Sequence, residues 1–128
     1  MPYPSNSKPT EAELEILQVL WQHGPSTVRF VNEQLSRQKE TGYTTTLKLM
    51  QIMAEKGLVK RNEAQRTHVY AADASEEETQ QRLLDRFLDT AFRGSAMKLV
   101  MQALGNRSAS KEELIQIRNL LDRIEGEK

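Results

Sequence analysis

Few residues in this chain have the type and spacing to do chemistry. There is no cysteine, which removes disulfides, zinc–thiolate sites and thiol nucleophiles. The two histidines, His23 and His68, lie far apart, and neither has metal-ligand spacing. No phosphate-cradling glycine loop or nucleophile motif is present. Glu76, Glu77 and Glu78 read as favourable charge at a helix start and not as acid–base machinery. The expectation is therefore a non-enzyme without catalytic residues, metal or cofactor. What remains is the stretch "GYTTTLKLMQIMAEKGLVKR", 42–61. It begins with consecutive threonines, whose β-branches lose rotamer freedom in a helix.

On a helix beginning near Thr44, positions 44, 48, 51 and 55 share one face. They are Thr44, Lys48, Gln51 and Glu55, with Thr45 beside them. Leu47, Met50, Met53 and Ala54 lie opposite, flanked by Leu49 and Ile52. One side is core and the other is polar toward its N-terminal half, where a recognition helix touches base edges. A threonine offers a hydroxyl to phosphate and a methyl to thymine. Gln pairs with adenine, and Lys reaches guanine or phosphate. Backbone N–H groups at a helix start also attract phosphate.

The surrounding elements fit that task. The first nine residues, with Pro2, Pro4 and Pro9, read as a flexible arm. Thr10 and Glu13 form a capping box before Leu14, Leu17, Leu20 and Trp21, which recur at helical spacing. "HGPST" ends that helix, with Gly24 at its stop, and Thr27 or Ser26 caps a second whose inner face is Val28, Val31 and Leu35. The third helix is the opening stretch, ended by Gly57. Residues 58–62 and 67–72 are β-compatible, and 63–66 form a polar hairpin tip. Lys60, Arg61 and Arg66 near that tip make a basic wing suited to the phosphate backbone. The pattern predicts a mainly α fold with a small β-hairpin: a winged helix-turn-helix domain over 10–73, then a helical dimerisation domain over 74–128. Thr27, Tyr43, Thr44, Thr45, Lys48, Gln51, Lys60, Arg61 and Arg66 are the candidate DNA-binding residues.

Composition neither demands nor forbids this. The chain of 128 residues is 38% hydrophobic and 28% charged, as in ordinary globular proteins. Zero net charge divides into +2 over residues 1–72 and −2 over 73–128, too weak by itself to identify a polyanion partner. Within the first part the bases bunch late, at Arg37, Lys39, Lys48, Lys56, Lys60, Arg61 and Arg66. No apolar run reaches the roughly 18 residues of a membrane span, and no targeting segment is evident, so the cytoplasm is the expected location.

Beyond residue 73, Ser75 with Glu78 and Ser110 with Glu113 form further capping boxes. The helices they open carry Leu83, Leu84, Phe87, Leu88, Ala91 and Phe92, and then Leu114, Ile117, Leu121 and Ile124. Between them lie Met97, Val100, Met101 and Leu104. A segment this small cannot bury three amphipathic helices by itself. Phe87, Leu88, Phe92, Leu114, Ile117, Leu121 and Ile124 are therefore expected in a homodimer core, which suits a small reading head on a two-fold symmetric site.

Four segments resemble the BlaI/MecI/CopY penicillinase-repressor family of bacterial regulators: "TEAELEILQVLW" at 10–21, "YTTTLKLMQIMAEKGLVKR" at 43–61, "HVYAA" at 68–72 and "FRGSAMKLVMQAL" at 92–104. The resemblance implies a winged-helix repressor with a dimerisation domain, acting on palindromic operators with TACA/TGTA-like half-sites in double-stranded DNA. It places recognition contacts on Thr44, Thr45 and Lys48, with Gln51 next. Many relatives have arginine where this chain has Ile52, a departure that bears on the operator sequence. In many members a membrane-bound metallopeptidase sensor relieves repression by cleavage. The β-lactam-responsive members are cut at an Asn-Phe bond, and the matching bond here joins Gln102 and Ala103, after Leu99, Val100 and Met101. The C-terminal cysteine cluster of copper-responsive members is absent, which rules out copper sensing by that route. The rival reading is a winged-helix module for protein–protein assembly alone, whose mark would be an apolar exposed face on the third helix.

Overall fold

The computed structural model describes residues 8–64, 66–106 and 109–127. The chain runs α1 (Glu11–His23), β1 (Ser26–Thr27), α2 (Val28–Ser36), α3 (Tyr43–Lys56), β2 (Val59–Asn62), β3 (Val69–Ala72), α4 (Glu76–Phe92), α5 (Ala96–Asn106) and α6 (Lys111–Gly126). The fold class is the expected one, mainly helical with a small antiparallel sheet. Of the proposed arm, residues 1–7 lie outside the described residues, and Pro9 is buried.

Local chemistry sets most element ends. Thr10 and Glu13 bond reciprocally across the start of α1, and Ser110 and Glu113 do the same for α6. Thr27, not Ser26, caps α2 by accepting from the Phe30 N–H at 3.1 Å. Ser75 and Ser95 accept from the Glu78 and Lys98 N–H groups at the starts of α4 and α5. Gly57 ends α3 at φ 83°, a left-handed turn that costs a residue with a Cβ conformational strain.

The sheet has one more strand than the expected hairpin. Its order is β1-β3-β2, with Ser26 opposite Tyr70 and Thr27 opposite Val69 on one side of β3. On the other side Arg61 faces Tyr70 and Asn62 faces Val69. The loop between β2 and β3 also extends to residue 68, beyond the expected 63–66 tip.

Two compact units divide within α4, between Leu83 and Leu84. The boundary expected between residues 73 and 74 lies earlier in the chain than this division; the first turns of α4 belong to the N-terminal unit, where Thr79 is buried. That unit has a closed core of Ile16, Leu17, Val19, Leu20, Val28, Val31, Met50, Met53, Leu58, Val59 and Tyr70. Burial of each large apolar side chain favours folding by about 1.5–3 kcal/mol. The Trp21 indole N–H donates to the Ala74 carbonyl at 3.0 Å, tying α1 to the segment after the sheet.

The C-terminal unit contrasts sharply. No described residue from Leu84 onward is buried. Phe87, Met97, Met101, Leu121 and Ile124 are each half or more exposed, and Leu88, Phe92, Leu114 and Ile117 are half-buried. The rings of Phe87 and Phe92 meet edge to face at 5.6 Å.

Candidate nucleic-acid interface

The outward face of α3 carries the stripe read from the sequence. Thr44, Thr45, Lys48, Gln51 and Glu55 are exposed, while Thr46, Met50 and Met53 are buried. Apart from Tyr43 at its first turn, 50% exposed, this face offers polar side chains. None of the threonines caps the helix: Gly42 is the N-cap and supplies no side chain. The threonines instead have two roles. Thr44 and Thr45 face outward, and Thr46 is fully enclosed, accepting from the Asn32 amide at 3.0 Å.

Beside α3 lies a cleft of ≈ 690 Å³ between the start of α2, α3 and the β2–β3 loop. Among its lining residues are Thr27, Tyr43, Gln51, Arg61 and Arg66, five of the expected DNA-binding positions. Thr44, Thr45 and Lys48 lie outside it on the exposed surface of α3. Lys60 does not line it either. Successive strand residues point to opposite faces, so neighbours on β2 cannot both enter the cleft. Arg61 does, and Lys60 sits 3.6 Å from Asp73. Lys60 and Arg61 therefore belong to opposite faces of β2.

Arg61 is already engaged. Its guanidinium bonds the Glu63 carboxylate, and the residue stands opposite Tyr70 of β3. The Glu63 hydrogen bond is the main reason the Arg61 pKa is raised above its ordinary value. Arg61 in turn holds the Glu63 carboxyl below the usual range, through that bond first and its charge second.

Lys56, counted among the bunched bases, is withdrawn from the surface. Its ammonium lies 2.8 Å from Glu13 Oε1, with the two side chains 11% and 2% exposed. The same oxygen accepts the Thr10 N–H at 2.9 Å. Alternation of charge along the sequence carries no sign of this, because the partners are 43 residues apart.

Arg29 and His68 are among the cleft residues that were not assigned to the site from the sequence. For Arg29 a signal existed. A cation in the first turn of a helix opposes the helix dipole, so its placement there asks for another reason. His68 had none, since it lies in a loop without periodicity. Among the described residues, no cluster of three or more His, Asp or Glu could hold a metal.

A profile of the penicillinase repressor family matches residues 9–123. The chain belongs to the penicillinase repressor family. That family consists of transcriptional repressors and not enzymes, which agrees with the absence of catalytic motifs. The penicillinase repressor of Bacillus licheniformis is 24% identical over 113 residues, 88% of each chain. The transcriptional regulator BlaI of Mycobacterium tuberculosis is 37% identical over 62 residues, covering 48% of this chain and 45% of that one. The solution structure of the DNA-binding domain of the repressor BlaI matches 56% of this chain and 90% of its own, at TM-score 0.50 and 24% identity, a likeness of fold. The four segments singled out in the sequence all lie within the family match.

Proposed function

We propose that this chain is a DNA-binding repressor that acts as a homodimer on a palindromic operator, with TACA/TGTA-like half-sites. The observation that carries the reading is the exposed polar stripe of α3 set beside a cleft lined by Arg29, Arg61, Arg66 and His68. Side chains of the stripe would read base edges in the major groove, and the cleft cations would meet phosphate. An assembly module would present an apolar face there, and α3 does not.

Dimerisation is supported by the C-terminal unit, none of whose described apolar side chains is fully buried. A second copy would cover Phe87, Leu88, Phe92, Leu114, Ile117, Leu121 and Ile124. Two linked heads then bind two half-sites with the second contact effectively intramolecular.

Relief of repression by a membrane-bound metallopeptidase sensor, which the resemblance implies for many members, is proposed here as well, with the bond between Gln102 and Ala103 as the site. Both residues are exposed but lie inside α5. Cleavage there requires that helix to open locally, since a protease binds extended chain. The protein is proposed to be cytoplasmic; among the described residues, no helix is long and apolar enough to cross a membrane.

The test is a shift assay against DNA upstream of the protein's own gene, over a salt series. Binding that weakens linearly in log salt and prefers one palindromic segment supports the reading. Absence of binding to any duplex at low salt overturns it.

A further inference from the structure

Asn32 sits on α2, half-buried, and its side-chain amide reaches across to the start of α3. One N–H donates to the Thr41 carbonyl at 2.8 Å and the other to the Thr46 hydroxyl at 3.0 Å. A carbonyl can only accept, so the nitrogen is necessarily the amide atom facing Thr41. Because the Thr46 hydroxyl accepts from Asn32, its own hydrogen is free to donate to the Gly42 carbonyl, 3.4 Å away. The network is directional, and both amide donors of Asn32 are used. Ser36 adds a second donor to the Thr41 carbonyl at 3.3 Å.

This arrangement stands where α3 has no cap of its own. Gly42 offers no side chain, and the chain enters the helix through a short polar connection. The first turn is therefore held from outside, by a residue on the neighbouring helix. Thr46 is the buried side of that turn, and Thr44 and Thr45 are its exposed side. Three consecutive helical residues are rotationally linked, so whatever sets Thr46 sets the outward direction of the other two.

We infer that Asn32, acting through Thr46, is a positioning residue that fixes the start of the recognition helix and thereby the sequence specificity of the protein. The inference rests on the DNA-binding reading above. Asn32 itself need not touch DNA. A contact pair is productive only within a fraction of an ångström and some 10–20° of its best geometry. Loosening of the first turn would blur the hydrogen bonds that distinguish one base pair from another, and would leave phosphate attraction by the wing unaffected.

The test compares the full chain with Asn32→Leu, Thr46→Val and Thr46→Ser. Two readouts are taken: amide hydrogen exchange by NMR, and affinity for the operator against a random duplex of equal length at one salt concentration. Asn32→Leu and Thr46→Val are expected to speed exchange at Thr46, whose N–H bonds the Gly42 carbonyl in the first turn, and to leave Met50 and Met53 protected. Operator affinity should fall by about tenfold with random-duplex affinity unchanged, the scale of one lost base contact. Thr46→Ser keeps the hydroxyl and should behave as the parent. Equal loss on both duplexes, unchanged discrimination, or failure of Thr46→Ser to rescue would overturn the inference. A parent chain that does not discriminate operator from random DNA would overturn the repressor reading instead, and the exchange data would still judge whether Asn32 and Thr46 hold the turn.

Discussion

Replacement of Lys56 by Met separates a basic residue at the surface from one that holds the fold. The substitution keeps most of the apolar stem and removes the ammonium that lies 2.8 Å from Glu13. Glu13 is 2% exposed, so water cannot replace that partner. Breaking a buried ion pair from one side costs about 3–5 kcal/mol. The Thr10 N–H still bonds the same oxygen at 2.9 Å, and Lys56 is itself slightly exposed, which brings the expectation to about 2–3 kcal/mol. For a folding unit of this size that loss corresponds to a fall in Tm of about 10–20 °C. The single tryptophan, Trp21, lies in the same unit and reports its unfolding by fluorescence. Pairing Lys56→Met with Glu13→Gln removes the stranded charge and should recover much of the loss. Operator affinity per folded molecule should be that of the parent. If Lys56→Met melts like the parent, or lowers the salt slope of binding by about one, Lys56 is a phosphate contact and the structural account of it fails.

Ala in place of Lys48 or Gln51 should weaken operator binding by about 1–3 kcal/mol per lost base contact without altering stability, as measured by shift assay and thermal unfolding. Arg29→Ala and Arg66→Ala should each weaken binding to all duplexes alike and lower the salt slope by about one, whereas relaxed preference at a single base pair would mark a base reader. Glu63→Gln should tighten binding to all duplexes by freeing Arg61. Because the folded Glu63 pKa lies below its ordinary value, the parent's Arg61–Glu63 pair persists through neutral and mildly acidic pH and is lost as pH falls through that lowered value. The advantage of Glu63→Gln should therefore hold across the upper range and disappear under acid. Leu121→Glu places a charge in the proposed seam and should sediment as a monomer whose N-terminal unit still folds, with the full palindrome no longer footprinted at physiological salt.

Much of this molecule is readable from the order of its residues, because much of it is decided within a turn of chain. Thr10, Ser75 and Ser110 each accept from an N–H three residues later, and such local bonds depend on nothing distant. The same holds for the stop at Gly57 and for the division of α3 into an apolar and a polar side, which follows from helical periodicity alone. Hence the helical elements, the wing and the stripe of Thr44, Thr45, Lys48 and Gln51 were all visible beforehand. What the sequence could not display are pairings that exist only once elements have packed. β1 is two residues long, too short for any alternation to announce it. Lys56 meets Glu13 across 43 residues, so one base leaves the surface, and Thr46 finds its partner Asn32 across 14. Lys60 and Arg61 look equivalent as neighbours until the pleat of β2 turns them apart. Local hydrogen bonding and periodicity specify which elements form, whereas the enclosure of polar groups, where an unpaired charge is costly, is a property of the assembled core.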